Sequence, residues 1–167
     1  DPRTLYAAMY QRRRTVFGFS ASGDGSGLYR SLDGGDSWTL LSEGLPEGDL
    51  GRIGIDVFAG DSHLVYASIE AAGGEARGLY RSTDRGRTWW ERDGAEGIHV
   101  DHHAIWVDPG NSDHIVLGSD GGISSSWDGA QTWRQHDNLA IGQFYEIGVD
   151  MRDPYYVCGG LQDNSSW

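Results

Sequence analysis

Eight residues recur three times along this chain: Ser31-Leu32-Asp33-Gly34-Gly35-Asp36-Ser37-Trp38, Ser82-Thr83-Asp84-Arg85-Gly86-Arg87-Thr88-Trp89 and Ser126-Trp127-Asp128-Gly129-Ala130-Gln131-Thr132-Trp133. The shared template is Ser-x-Asp-x-Gly-x-Ser/Thr-Trp, and each copy follows a short strand-like run: Gly27 to Arg30, Gly78 to Arg81 and Gly122 to Ser125. Their starts lie 51 and 44 residues apart. A period of that size restricts the chain to a modular array, because each unit must bury its apolar faces against its neighbours. Within the box the aspartate can accept hydrogen bonds from nearby backbone amides, the glycine tolerates positive φ, the serine or threonine hydroxyl ties the loop ends, and the tryptophan packs beneath the turn with its indole N–H seeking a carbonyl. Ser31, Asp33, Gly35, Trp38, Ser82, Asp84, Gly86, Trp89, Ser126, Asp128 and Trp133 are therefore structural residues rather than catalysts. Ala130 stands where the other copies have glycine, which predicts a strained or re-shaped third turn.

A second unit lies upstream of the boxes. Arg52 to Val57 leads to His63 to Ser68, Ala104 to Pro109 leads to His114 to Ser119, and Tyr145 to Asp150 leads to Tyr155 to Gly160. These runs are β-branched and aromatic, are bounded by Asp, Pro, Gly and Asn, and show no helical periodicity. Each unit reads as four antiparallel strands, and radially arranged units of this kind make a β-propeller. The expected fold is all-β: one partial propeller over 1–167, about three and a half blades in an incomplete ring. The blades fall at approximately 1–42 (partial), 48–92, 100–136 and 141–167 (partial). The smallest closed propellers have four blades, so the ring is expected to be completed by the remainder of a longer polypeptide or by other chains. His63 and His114 are expected at matching places before a strand, in a packing role.

Composition narrows the partners. Thirteen basic residues, all arginine, stand against 25 acidic ones, a net charge of −12 that argues against a nucleic-acid backbone as ligand. The one basic run, Arg12-Arg13-Arg14, is expected to be a solvated or ion-paired loop. No apolar run approaches the length needed to span a bilayer as a helix. The lone Cys158, between Val157 and Gly159, excludes an internal disulfide framework and is expected to be a buried, inert thiol.

The three boxes resemble the Asp-box, or bacterial neuraminidase repeat, of sialidases, sortilin ectodomains and two-propeller xyloglucanases. The stretches Val100 to Pro109, Leu117 to Gly122, Ile141 to Tyr145 and Cys158 to Trp167 are similar to the bacterial sortilin-like, glycosyl-hydrolase-like group. In that group about one more blade is expected where only Arg92 to Val100 intervene here. The resemblance implies a propeller fold and an exported, extracytoplasmic bacterial protein; for activity it is permissive, since one architecture hosts enzymes, receptors and scaffolds.

Candidate chemistry lies outside the boxes. A sialidase needs an arginine cluster; Gly51-Arg52-Ile53-Gly54 lacks the aromatic and the proline of the sialidase arginine motif, so Arg52 is expected to be structural or salt-bridging. A glycoside hydrolase needs two carboxylates roughly 5 to 10 Å apart. Asp120, before Gly121-Gly122, and Asp163, after Gly159-Gly160, are the candidate catalytic pair, near corresponding places in adjacent blades; a role in the turn alone is the favoured reading for each. In Asp101-His102-His103, alternation along a strand separates the two imidazoles, which leaves Asp101 and His103 on one face as possible ligands and a channel-lining histidine as the favoured reading, with no metal or cofactor expected. Asp101, His103, Gln143, Tyr145 and Trp167 are the candidate binding residues; Trp90, Trp127 and Trp167 could stack on sugar rings or be buried between blades. The function expected is a rigid module that recognises a glycan or protein surface through loops at one ring face. The alternatives are polysaccharide hydrolysis by Asp120 and Asp163, with Asp101 or His103 assisting, and a structural subunit of a larger complex.

Overall fold

The computed structural model describes residues 1–72, 78–92, 98–99, 102–139 and 144–161, with no account of the side chains at 144–146. Among the described residues there are fifteen strands and no helix, so no helix long and apolar enough to cross a membrane. The first sheet orders β1 (Leu5–Met9), β4 (Gly27–Ser31) and β5 (Thr39–Leu41). Two four-stranded meanders follow: β6 (Leu50–Val57), β7 (Val65–Ala71), β8 (Gly78–Ser82), β9 (Trp90–Arg92), and then β10 (His102–Val107), β11 (Ile115–Ser119), β12 (Gly122–Ser126), β13 (Arg134–Gln135). A fourth sheet pairs β14 (Phe144–Val149) with β15 (Val157–Leu161), and a separate hairpin pairs β2 (Arg13–Thr15) with β3 (Gly18–Ser20). All pairings are antiparallel.

The boxes give the register between units. They follow β4, β8 and β12, so β1, β4 and β5 correspond to the second, third and fourth strands of the complete sheets, and β14 and β15 to the first and second. The architecture is a partial propeller ring, as the repeats predict.

Strand β7 shows how the sheets stack. Val65, Ala67 and Ile69 belong to a core with Leu28 and Leu41 of the first sheet and Ile53, Tyr80 and Trp89 of the second. Their alternate, Tyr66, belongs to a second core with Leu79, Val107, Ile115 and Ala130, against which Ile105 and Trp133 pack. Period-2 alternation thus feeds two opposite inter-sheet layers, which is why this strand lacks a polar face. Val65, Tyr66 and Ala67 are wholly buried, and each large apolar side chain so enclosed contributes about 1.5–3 kcal/mol. The first strands β6 and β10 touch each other across the second layer. Asp56 joins them: its Oδ1 accepts Val57 N–H at 2.8 Å and its Oδ2 accepts Val107 N–H of the next sheet at 2.7 Å.

The fourth sheet departs from its counterparts. Ile147 and Val149 hold the register of Ile105 and Val107 yet are exposed, as is Val157. Cys158 is exposed too, with Sγ 3.7 Å from Gly148 O, so the expectation of a buried thiol is corrected. The reason is shared with its neighbours, since this pair of strands is bare where the matching strands of the second and third sheets are covered.

His63 and His114 do not match either. Arg85 N donates to His63 O and Gly129 N to Asp113 O, so Asp113 is the counterpart of His63, and His114 that of Leu64. His114 instead bonds Asp108 Oδ2 at 3.0 Å and stacks on Trp127.

Candidate functional site

The blades present two ends. The boxes lie at one, between third and fourth strands; the first-strand starts and the turns between second and third strands lie at the other.

At the box end, one network is built three times. Ser31, Ser82 and Ser126 donate Oγ–H to Asp33, Asp84 and Asp128 at 2.7, 2.8 and 2.8 Å, and accept the N–H of Gly35, Gly86 and Ala130 at 2.9, 2.8 and 2.9 Å. The same aspartates accept the backbone N–H of Ser37, Thr88 and Thr132, each at 2.9 Å, and the hydroxyls of those residues. Hydrogen bonds to the ionised form favour it. Asp128 is held down at about 2 by the Thr132 hydroxyl and amide and by Ser126. Burial pushes Asp84 up, but Thr88 and Ser82 outweigh it and leave it at about 2. Asp33 is lowered by Ser37 and Ser31. The oxygens of these carboxylates are engaged inward, on the turns' own amides and hydroxyls.

The third turn carries the expected strain at Ala130, and the second carries the same kind at Arg85. Positions four and five of every box have positive φ: Gly34 and Gly35 at 87 and 104°, Arg85 and Gly86 at 63 and 71°, Gly129 and Ala130 at 71 and 69°. Ala130 is left-handed at a cost of roughly 1–2 kcal/mol. Trp38 and Trp89 donate Nε1–H to Gly35 O and Gly86 O, each at 3.0 Å, whereas Trp133 Nε1 finds no acceptor among the described residues, which corrects the expectation for that copy.

At the other end, strand irregularities gather polar side chains. The pairing slips between His102 and Ala104, leaving His103 as the extra residue of a β-bulge; Tyr145 is the extra residue at the same register in β14, and Gly51-Arg52 sit opposite Glu70 one pair earlier in β6. Bulges re-aim side chains and accumulate beside functional sites. Arg52 Nη1 lies 4.0 Å from Glu70 Oε1 and 3.1 Å from His103 Nε2, and also meets His103 Nδ1. His103 Nε2 in turn meets Asp120 Oδ1 in the β11–β12 turn. The tautomer with hydrogen on Nε2 satisfies both partners, with Arg52 donating to Nδ1 and Nε2–H donating to Asp120. A row Glu70–Arg52–His103–Asp120 thus crosses from one blade to the next, partly open to solvent. It presents guanidinium donors between carboxylate acceptors, the chemistry that reads hydroxyls, amides or an opposed ion pair.

The candidate residues divide accordingly. His103 and Asp120 come together, and Arg52 is salt-bridging as expected. Glu70 escaped the sequence reading; only the register shows that it faces the bulge. Asp101, Gln143, Asp163 and Trp167 lie outside the described residues, and Tyr145 is placed by backbone alone. Among the described residues no three His, Cys, Asp or Glu side chains converge on a metal position. Trp127 is 65% exposed, stacked on His114 at 3.5 Å and 8°, with Trp106 edge-on to the same imidazole; Trp90 is exposed as well.

Fold and site together define part of a β-propeller whose turns are held at one end and diversified at the other. The chain is similar in structure to the GH74 xyloglucanase from Xanthomonas campestris (TM-score 0.57, 16% identity, 99% of this chain and 26% of that one) and to a Niastella koreensis GH74 enzyme (0.53, 17%, 97% and 24%). It is also similar to YCF48, solved bound to D1 peptide (0.53, 17%, 73% and 36%). The chain therefore spans about a quarter of the length of these GH74 enzymes and about a third of YCF48. No protein-family model matches it, and no curated protein sequence does.

Proposed function

We propose that this chain is a rigid propeller module of an exported protein of the Asp-box, sortilin-like kind, and that it recognises a glycan or protein surface at the bulged end of its blades. The observation that carries the reading is the inter-blade row Glu70–Arg52–His103–Asp120. The three box networks support the Asp-box kinship, and the bare Ile147 and Val149 support completion of the ring by further blades or chains. Asp101, Gln143, Tyr145 and Trp167 are the further binding residues of this reading. Similar propellers act on xyloglucan in one case and hold a peptide in another, so the architecture serves either ligand.

Calorimetry against β-glucan oligosaccharides tests the glycan arm. Arg52→Ala and His103→Ala are expected to weaken binding at least tenfold, since each removes a charged or doubly bonded partner worth about 1.5–3 kcal/mol, with little change in melting temperature. Unchanged affinity would sink the site assignment. A second reading, hydrolysis, is favoured by one feature: the Asp120 carboxylate is bonded to a histidine in this solvent-open row. β-Glucan hydrolysis by the wild type that vanishes in both Asp120→Asn and Asp163→Asn would replace the binding reading with the hydrolytic one. Stable co-purification with other chains, lost on mutation of the bare fourth-sheet residues, would favour the structural-subunit reading.

A further inference from the structure

The hairpin β2–β3 has no counterpart among the described residues, and its charge is opposite to that of the chain as a whole. Residues 2–23 contain four arginines and no acid, in a chain of net charge −12. Every residue from Gln11 to Ser20 is exposed. Thr15 pairs with Gly18, so Val16 and Phe17 form the two-residue apex, where they are 96% and 99% exposed. Behind them Arg12 and Arg14 lie over the Phe19 ring, 5.3 and 5.8 Å from its centroid. Large apolar side chains so placed ordinarily mark an interaction site.

The base of the arm is fixed. Gln11 N donates to Ser26 Oγ at 2.9 Å, Gly25 N donates to Gln11 Oε1 at 2.6 Å, and Gly23 bonds Leu50 O at 3.3 Å at the start of β6. A Cβ at Gly23 or Gly25 would overlap the Gln11 amide at 2.6 Å, so the glycines let that side chain fill the neck. The arm is held onto the second blade at the end where Arg52 emerges.

We propose that this hairpin docks the protein on an anionic phospholipid surface, with Val16 and Phe17 entering the headgroup layer and Arg12, Arg13 and Arg14 meeting lipid phosphates and carboxylates. Three arguments select a bilayer. The charge is complementary, and arginine near an anionic leaflet adds about fivefold in affinity per residue. The apex is convex and offers two side chains, far short of the ~800 Å² per partner that a stable protein interface needs; a lipid layer requires no matching surface. Five residues from neck to apex also reach roughly 17 Å, which places the acidic body more than the ~8 Å screening length from the membrane.

The test is co-flotation of the purified protein with vesicles of phosphatidylcholine containing about a third phosphatidylserine. Binding is expected at low and physiological salt, falling as salt rises, and at least tenfold weaker on phosphatidylcholine alone. Val16→Ser with Phe17→Ser should lose at least tenfold, given the transfer energy of two buried apolar side chains, and Arg12→Gln with Arg13→Gln and Arg14→Gln about a hundredfold. Because every altered side chain is exposed, unchanged thermal melts keep the comparison valid; should either variant melt early, single Phe17→Ser and Arg13→Gln replace it. Failure of the wild type to float overturns the proposal. So does flotation indifferent to these changes, or a vesicle-free oligomer that the same changes abolish, which would make the arm a protein contact.

Discussion

At one end of the blades the turns after β4, β8 and β12 repeat a single hydrogen-bond pattern to within about 0.1 Å for the serine and backbone contacts. At the other end the described connections differ: the second and third strands are joined by the excursion 10–26 in the first sheet and by Asp120-Gly121 in the third, and the bulges of the first strands recur but carry different residues, Gly51-Arg52, His103 and Tyr145. The box end consumes its own polar groups, so its residues are not free to vary without loss of the turn. The bulged end pairs its carboxylates, guanidinium and imidazole with one another, in a row partly open to solvent. A ring of near-identical blades needs one end to be invariant for the other to be diverse.

The comparison can be broken first at the tryptophans. Trp89 is 3% exposed beneath the first sheet, while Trp38, with the same indole hydrogen bond, is 43% exposed. Trp89→Ala should cost about 3–5 kcal/mol in denaturant unfolding and Trp38→Ala under ~1 kcal/mol. Equal losses would mean that a box stabilises its own turn and owes nothing to the neighbouring blade. A pH titration gives the next effect. Asp84 and Asp128 sit at about 2 in the folded chain, below the roughly 3.9 of an unfolded aspartate. A depressed carboxylate contributes fully above the unfolded value and loses that contribution as pH falls through the folded one. Thermal melts should therefore decline from pH 4 to pH 2, and the decline should shrink in Asp84→Asn. The smallest expected change sharpens the contrast among boxes: Ala130→Gly relieves the left-handed alanine and should stabilise by about 1 kcal/mol, whereas Gly86→Ala should destabilise by a similar or larger amount.

How much the sequence reveals follows the same division. The boxes are legible because their interactions span four residues, so composition and spacing carry the whole network from Ser82 to Trp89. The propeller is legible because the boxes recur. The row at the other end depends on which residue of β7 faces which residue of β6, and Glu70 carries no local mark of that pairing. His63 and His114 mislead for the same reason: their loops have the same length and backbone hydrogen bonds, and His114 stands one position later than His63, against Asp108 and Trp127. Arg12 to Arg14 read as loop because strands of three residues have too little alternation to register as strands. Cys158 looks buried because its β-rich neighbours usually are, and only the bare fourth sheet shows otherwise.

Asp56 has a reach greater than its size. By gripping Val57 N–H with one oxygen and Val107 N–H with the other, it forbids β6 and β10 to slide lengthwise past each other. Arg52 lies four residues before Asp56 and His103 four before Val107, so the same clamp fixes the height at which guanidinium and imidazole meet. Asp56 acts as a gauge block: altering it should leave both blades folded while detuning the alignment of the two side chains one strand-length away.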